Sequence, residues 1–83
     1  METIIVEICI GSIGRVMDFM LPAHVPVGKL IGDLVSLIEQ TVPEVAFGNE
    51  TPLLLSMADQ KAIPENWTLA KAGIRDSHRL MIV

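Results

Sequence analysis

Residues 22–40 read PAHVPVGKLIGDLVSLIEQ, the one stretch of the chain with the spacing of a long helix. Val27, Leu30, Ile31, Leu34 and Ile38 recur at intervals of three and four, which sets them on one side of a 3.6-residue turn. Lys29, Asp33, Ser36, Glu39 and Gln40 fall mostly on the other side. Pro26 suits a first helical turn, where its missing N–H removes no bond and its φ is already helical. Pro43 limits the far end, because the residue before a proline is pushed out of the helical region. The spacing predicts a helix over residues 26–40. Its apolar side must lie on a sheet, each fully buried Leu or Ile contributing roughly 1.5–3 kcal/mol.

The flanking segments read as strands. Residues 3–10, TIIVEICI, are β-branched and continuous. Glu7 marks one face as outer, so Ile4, Val6, Ile8 and Ile10 point to the core and Ile5 and Cys9 point away. Residues 11–14, GSIG, are a turn signal, and 15–21, RVMDFML, return antiparallel. There Asp18 marks the outer face, leaving Met17, Phe19 and Leu21 inside. After the helix, residues 41–52 form a polar connection that pins Val45 and Phe47 under it. Residues 53–57, LLLSM, carry no charge to mark a face. Ser56 makes Leu53, Leu55 and Met57 the expected inner residues, with Leu54 and Ser56 outward. A short strand at 62–63 follows, then a crossing that includes Trp67. Thr68 caps one helical turn that Gly73 ends. The last strand is 78–83, with Leu80 and Ile82 inward and Arg79, Met81 and Val83 outward. The expected architecture is α+β, a mixed sheet of four to five strands crossed by one main helix.

The chain has 83 residues, enough for one small domain over 1–83. It is 51% hydrophobic, with a mean hydropathy of +0.52, so some apolar surface is expected to be left for a partner. A net charge of -4 argues against nucleic acid and against an anionic membrane surface, both of which require a basic patch. The single cysteine, Cys9, rules out an internal disulfide and fits a cytoplasmic setting. The N-terminus lacks the basic n-region of a signal peptide, and no apolar run reaches the ~20 residues of a membrane span.

The order of elements, with a helix crossing the sheet after a first hairpin, resembles the β-grasp fold of ubiquitin-like proteins. Residues 68–83, TLAKAGIRDSHRLMIV, are similar to the closing segment of ubiquitin. Residues 21–34, LPAHVPVGKLIGDL, resemble the more specific pattern of the YukD/EsaB family and of the cytosolic N-terminal domains of EccD, which belong to type VII (WXG100, ESX) secretion systems. The resemblance implies a small non-enzymatic adaptor. Its expected partner is a cytosolic domain of a membrane component of that machinery, or a second copy of the chain as a homodimer. The expected location is cytoplasmic, held to the inner face of the membrane through the protein partner without insertion. The sequence ends Leu80-Met81-Ile82-Val83, without the Gly-Gly tail of conjugated modifiers and sulfur carriers, so neither chemistry is expected.

No catalytic group, cofactor or metal site is expected. Cys9 reads as a small hydrophobe of a strand. His24 reads as a turn residue and His78 as a rim residue, with no second ligand at useful spacing. Gly28 and Gly32, four apart on the helix, read as close packing against the 41–52 connection, the alternative being close approach of a partner backbone. Trp67 reads as cover for the edge of the core. The expected site is instead the outer sheet face, through which ubiquitin-like domains bind partners. Ile5, Cys9, Met20, Leu54, Met81 and Val83 would form its apolar patch, with Ser56 beside Leu54 and with Glu7, Asp18 and Arg79 at the margins. The alternative function is a small structural subunit of a multicomponent enzyme such as a bacterial oxygenase, a role that also uses this fold.

Overall fold

The computed structural model describes residues 2–45, 47–48 and 51–83, so residues 46, 49 and 50 of the predicted connection lie outside the described part. The elements are β1 (Thr3–Ile10), β2 (Arg15–Pro22), α1 (Val27–Thr41), β3 (Leu54–Ser56), β4 (Lys61–Ala62) and β5 (Arg79–Ile82). The strands form one sheet in the order β2-β1-β5-β3-β4. Three neighbouring pairs are antiparallel, and β1 with β5 is parallel. The architecture is the expected α+β one, a mixed five-stranded sheet crossed by one helix.

Alternation explains the core. Ile4, Val6, Ile8 and Ile10 of β1 are buried, as are Leu80 and Ile82 of β5. From the other side, α1 buries Val27, Leu30, Ile31, Leu34 and Ile38, the five residues its periodicity singles out. Met17 and Phe19 face the same way as Leu21 but stay half-buried, because β2 is an edge strand with cover on one side only. Val45 is buried and Phe47 packs partly against the core, as the connection predicts.

One face assignment is reversed. Leu54 and Ser56 lie on the core face, and Leu55 lies on the outer face. The register with β5 is the reason: Leu54 is opposite Ile82, Leu55 opposite Met81 and Ser56 opposite Leu80. Cross-strand partners share a face, so the buried Ile82 and Leu80 draw Leu54 and Ser56 inward. Ser56 tolerates this position because it ends the strand, half-buried. Smaller differences are local. β2 runs one residue further than expected, with Pro22 as its last residue. The helix starts at Val27, with Pro26 as the flanking residue. The fourth strand is one residue earlier than expected.

The helix start has no side-chain cap. Its first N–H groups would be unsatisfied, and the crossing segment satisfies them. Val27 N–H donates to the Trp67 carbonyl at 2.7 Å and Gly28 N–H to the Glu65 carbonyl at 2.9 Å. Ala70 N–H donates to the Ala23 carbonyl at 3.0 Å, which ties residues 23–28 to 65–70. A Cβ on Gly28 would sit 3.2 Å from the Glu65 Cβ, so Gly28 packs closely on this segment and not on the 41–52 connection. Gly32 has open space around it. The turn after Thr68 forms as expected, Lys71 N–H donating to the Thr68 hydroxyl at 3.1 Å. Trp67 packs against the core with Lys71 Nζ 4.9 Å above its ring.

Two comparisons test this packing by urea denaturation. Leu54→Ala is expected to lose about 2–5 kcal/mol, whereas Leu55→Ala loses less than about 1 kcal/mol. The reverse order would place β3 the other way up. Gly32→Ala is expected to stabilise by up to ~1 kcal/mol through helix propensity. Gly28→Ala is expected to lie clearly below it, because the new methyl presses on Glu65.

Candidate protein-interaction face

A single helix covers one face of the sheet and leaves the other open. The registers order that outer face into rows. Val16, Cys9, Met81 and Leu55 form one row across β2, β1, β5 and β3, with Ala62 of β4 beyond them. Leu53 and Val83 lie beside this row. They exchange two backbone bonds, Leu53 N–H to the Val83 carbonyl at 2.8 Å and Val83 N–H to the Leu53 carbonyl at 3.0 Å. Val16, Leu53 and Val83 are each about half exposed, at 50%, 51% and 50%. The β1–β2 turn closes this corner. Gly11 N–H donates to the Ile82 carbonyl at 2.9 Å, and a Cβ there would meet Val83 Cγ1 at 2.7 Å, so a side chain at Gly11 would displace Val83.

On the other flank of the apolar row lies a row of charge. Asp18, Glu7 and Arg79 are aligned across β2, β1 and β5. Arg79 Nε donates to Glu7 Oε2 at 3.0 Å. Asp18 faces Glu7 directly, and among the described residues no cation lies within ion-pair distance of it. Like charges opposite one another in a sheet are mildly destabilising. Beyond the charges, Met20 and Ile5 pair as a second, smaller apolar patch.

The structure therefore redistributes the expected site. Ile5, Cys9, Met20, Met81 and Val83 all lie on the outer face, as alternation predicts. The charges do not form its margin, however. They run between Ile5 and Met20 on one side and Cys9, Met81 and Val83 on the other. Leu54 and Ser56 are not on this face at all. Their places are taken by Leu53 and Leu55, and Val16 joins them. Val16 was recoverable from the sequence, since it has the parity of Asp18. Leu53 and Leu55 were hidden by the uncharged leucine run.

The side chains weighed for chemistry are dispersed. His24 Nε2 lies 2.8 Å from Glu2 Oε1 at the surface. His78 Nδ1 accepts from the Arg75 N–H at 3.2 Å. Cys9 is half-buried in mid-strand. Among the described residues, no three His, Cys, Asp or Glu side chains gather as a metal site. The outer face offers apolar area and one unpaired carboxylate, the features of a binding surface. No helix among the described residues is long and apolar enough to cross a membrane.

A family model described as the WXG100 protein secretion system (Wss) protein YukD matches residues 3–82. No curated protein matches the chain. Among solved structures, the ubiquitin-like domain of the Mycobacterium tuberculosis type VII secretion system protein EccD1 is 23% identical, with a TM-score of 0.82, over 100% of this chain and 99% of that one. A chain of the MycP5-free ESX-5 inner membrane complex is 20% identical, with a TM-score of 0.83, over 100% of this chain and 21% of that one. A chain of the toluene 4-monooxygenase HD complex is 12% identical, with a TM-score of 0.79, over 99% and 98%. These likenesses establish the ubiquitin-like β-grasp fold.

Proposed function

The chain belongs to the YukD family of the WXG100 protein secretion system, and we propose that it acts there as a non-enzymatic adaptor. Its working surface is the apolar end of the outer sheet face, formed by Val16, Cys9, Leu53, Leu55, Met81 and Val83. The partner is a cytosolic domain of a membrane component of the machinery. The adaptor then works in the cytoplasm and reaches the inner face of the membrane only through that partner. The observation that carries this reading is the exposure of Val16, Leu53 and Val83 together on a sheet face that the chain's own helix does not cover. Burying such a cluster is favourable at about 25 cal/mol per Å² of apolar area, which supports docking of a preformed surface. The similar chain inside an inner membrane complex supports the setting. The alternative role, as a structural subunit of an oxygenase, has the shared fold behind it.

Leu55→Asp combined with Val83→Asp tests the proposal in the native host. Both side chains lie on the outer face, so the fold is expected to survive, as judged by circular dichroism. Co-purification with the membrane component and export of WXG100 substrates are each expected to fall by about tenfold or more, the effect of ~1.4 kcal/mol of lost binding. Normal export with normal co-purification would remove this surface from consideration. Loss of self-association alone would identify a homodimer contact instead.

A further inference from the structure

The sheet has two edges of very different character. β4 is two residues long, whereas β2 has eight. Ala23 N–H donates to the Glu2 carbonyl at 3.0 Å, which fixes the phase of the β1–β2 ladder. Hydrogen-bonded pairs alternate with unbonded ones along an antiparallel pair, so Arg15, Met17, Phe19 and Leu21 bond to β1. Val16, Asp18 and Met20 turn their N–H and C=O groups away from it. No turn or loop among the described residues bonds to those groups. Pro22 falls in the same phase, where a missing N–H breaks no ladder bond, as expected for proline on an edge. The side chains of this free edge are Val16 at 50% exposure, Asp18, and Met20 at 67%. Asp18 stands between two apolar residues. It is repelled by Glu7, whose cation Arg79 is already engaged.

We propose that the β2 edge binds an extended peptide segment by strand addition, and that the segment carries Arg or Lys opposite Asp18 with apolar residues two positions to either side. The backbone groups of Val16, Asp18 and Met20 supply the ladder bonds, and the alternate side chains supply the selectivity. The cation relieves the Asp18–Glu7 repulsion, and the flanking apolar residues cover Val16 and Met20. A second copy of the chain fits this edge poorly. The symmetric antiparallel register that sets Val16 against Met20 also sets Asp18 against Asp18, in a chain already at -4. This inference rests on the reading of the chain as an interaction module, but not on the secretion partner or on the Leu53–Val83 corner.

The test is selection of a random linear peptide library on the purified protein, followed by titration of the enriched peptides against variants. Enrichment of Arg or Lys flanked at two positions by apolar residues is expected. Those peptides should lose about tenfold or more in affinity on Asp18→Lys. Met20→Pro should weaken them similarly, because it removes an outward N–H that bonds nothing within the fold. Leu55→Asp should leave them unchanged. Selection on the Asp18→Lys protein should return Asp or Glu at the same place. No enrichment, a consensus indifferent to Asp18→Lys, or binding lost on Leu55→Asp but kept on Met20→Pro would overturn the proposal. So would self-association of the protein that Met20→Pro abolishes. Because the export assay reads the Leu55 and Val83 surface, failure of that reading is told apart from failure of this one.

Discussion

The parallel pairing of β1 with β5 is the contact on which the other strands depend. It brings residues near the two ends of the described chain together, Glu7 beside Arg79 and Cys9 beside Met81. A parallel pair needs a long crossover, and the segment between β2 and β5 holds the helix and both short strands. β5 then serves as the template for β3, and through β3 for β4. Once Leu80 and Ile82 are committed to the core, every later face assignment is fixed. The pairing also holds the turn at Asp76 and Ser77. Asp76 Oδ1 accepts from the Ile5 N–H and the Ser77 N–H donates to the Ile5 carbonyl, both at 2.8 Å. Non-local contacts of this kind become favourable only after the loop between them has closed, so the core on α1 has to supply the gain.

That core is one-sided. Five helix residues and six from β1 and β5 meet in it, all buried. At roughly 1.5–3 kcal/mol each, a few of them match the ~5–15 kcal/mol by which such a domain is stable. With one helix, nothing in the described chain can shield the second face of the sheet. Strand propensity still favours β-branched and other apolar residues there. The high apolar content thus divides between a closed core and an open face, and the charged row of Asp18, Glu7 and Arg79 divides the open face in two. An exposed ion pair such as Glu7–Arg79 contributes little to stability. Its consequence is for recognition: a partner that covers both apolar patches must also cover the charges.

Where a residue carries a charge or belongs to a long periodic run, its place was legible in the sequence. The helix, both strands of the hairpin, their core faces and the outward set Ile5, Cys9, Met20, Met81 and Val83 follow from Glu7, Asp18, Arg79 and simple alternation. β3 was not legible, because three consecutive leucines fit either parity and a strand-ending serine is no guide to a face. Its orientation is decided by β5, some twenty-five residues later in the chain, through Leu54 opposite Ile82. The charged row was missed for a related reason. Alternation says which face a residue occupies, but only register says which residues stand side by side. Gly28 shows the same limit. The sequence marks a close approach, and the structure shows that Glu65 makes it. The 21–34 stretch that carries the family resemblance is tied into the fold. Ala23 is buried and bonded at both its N–H and its carbonyl, and the helix start is tied to the crossing segment.

The two sheet edges meet the hazard of an unpaired strand in different ways. An exposed edge strand invites pairing with any extended chain, and proteins blunt such edges by shortness, by charge or by proline. β4 uses shortness. β2 is long and apolar, with Asp18 as its one central charge and Pro22 as its terminal block. Asp18 is opposite Glu7, so the edge repels acidic strands and its own copy, and a neutral strand would have to bury the charge unpaired. The same arrangement leaves it attractive to a strand that brings a positive charge. On the proposed strand addition, deterrence and selectivity come from one residue, because the feature that deters indiscriminate pairing is also the one that a matching partner must neutralise.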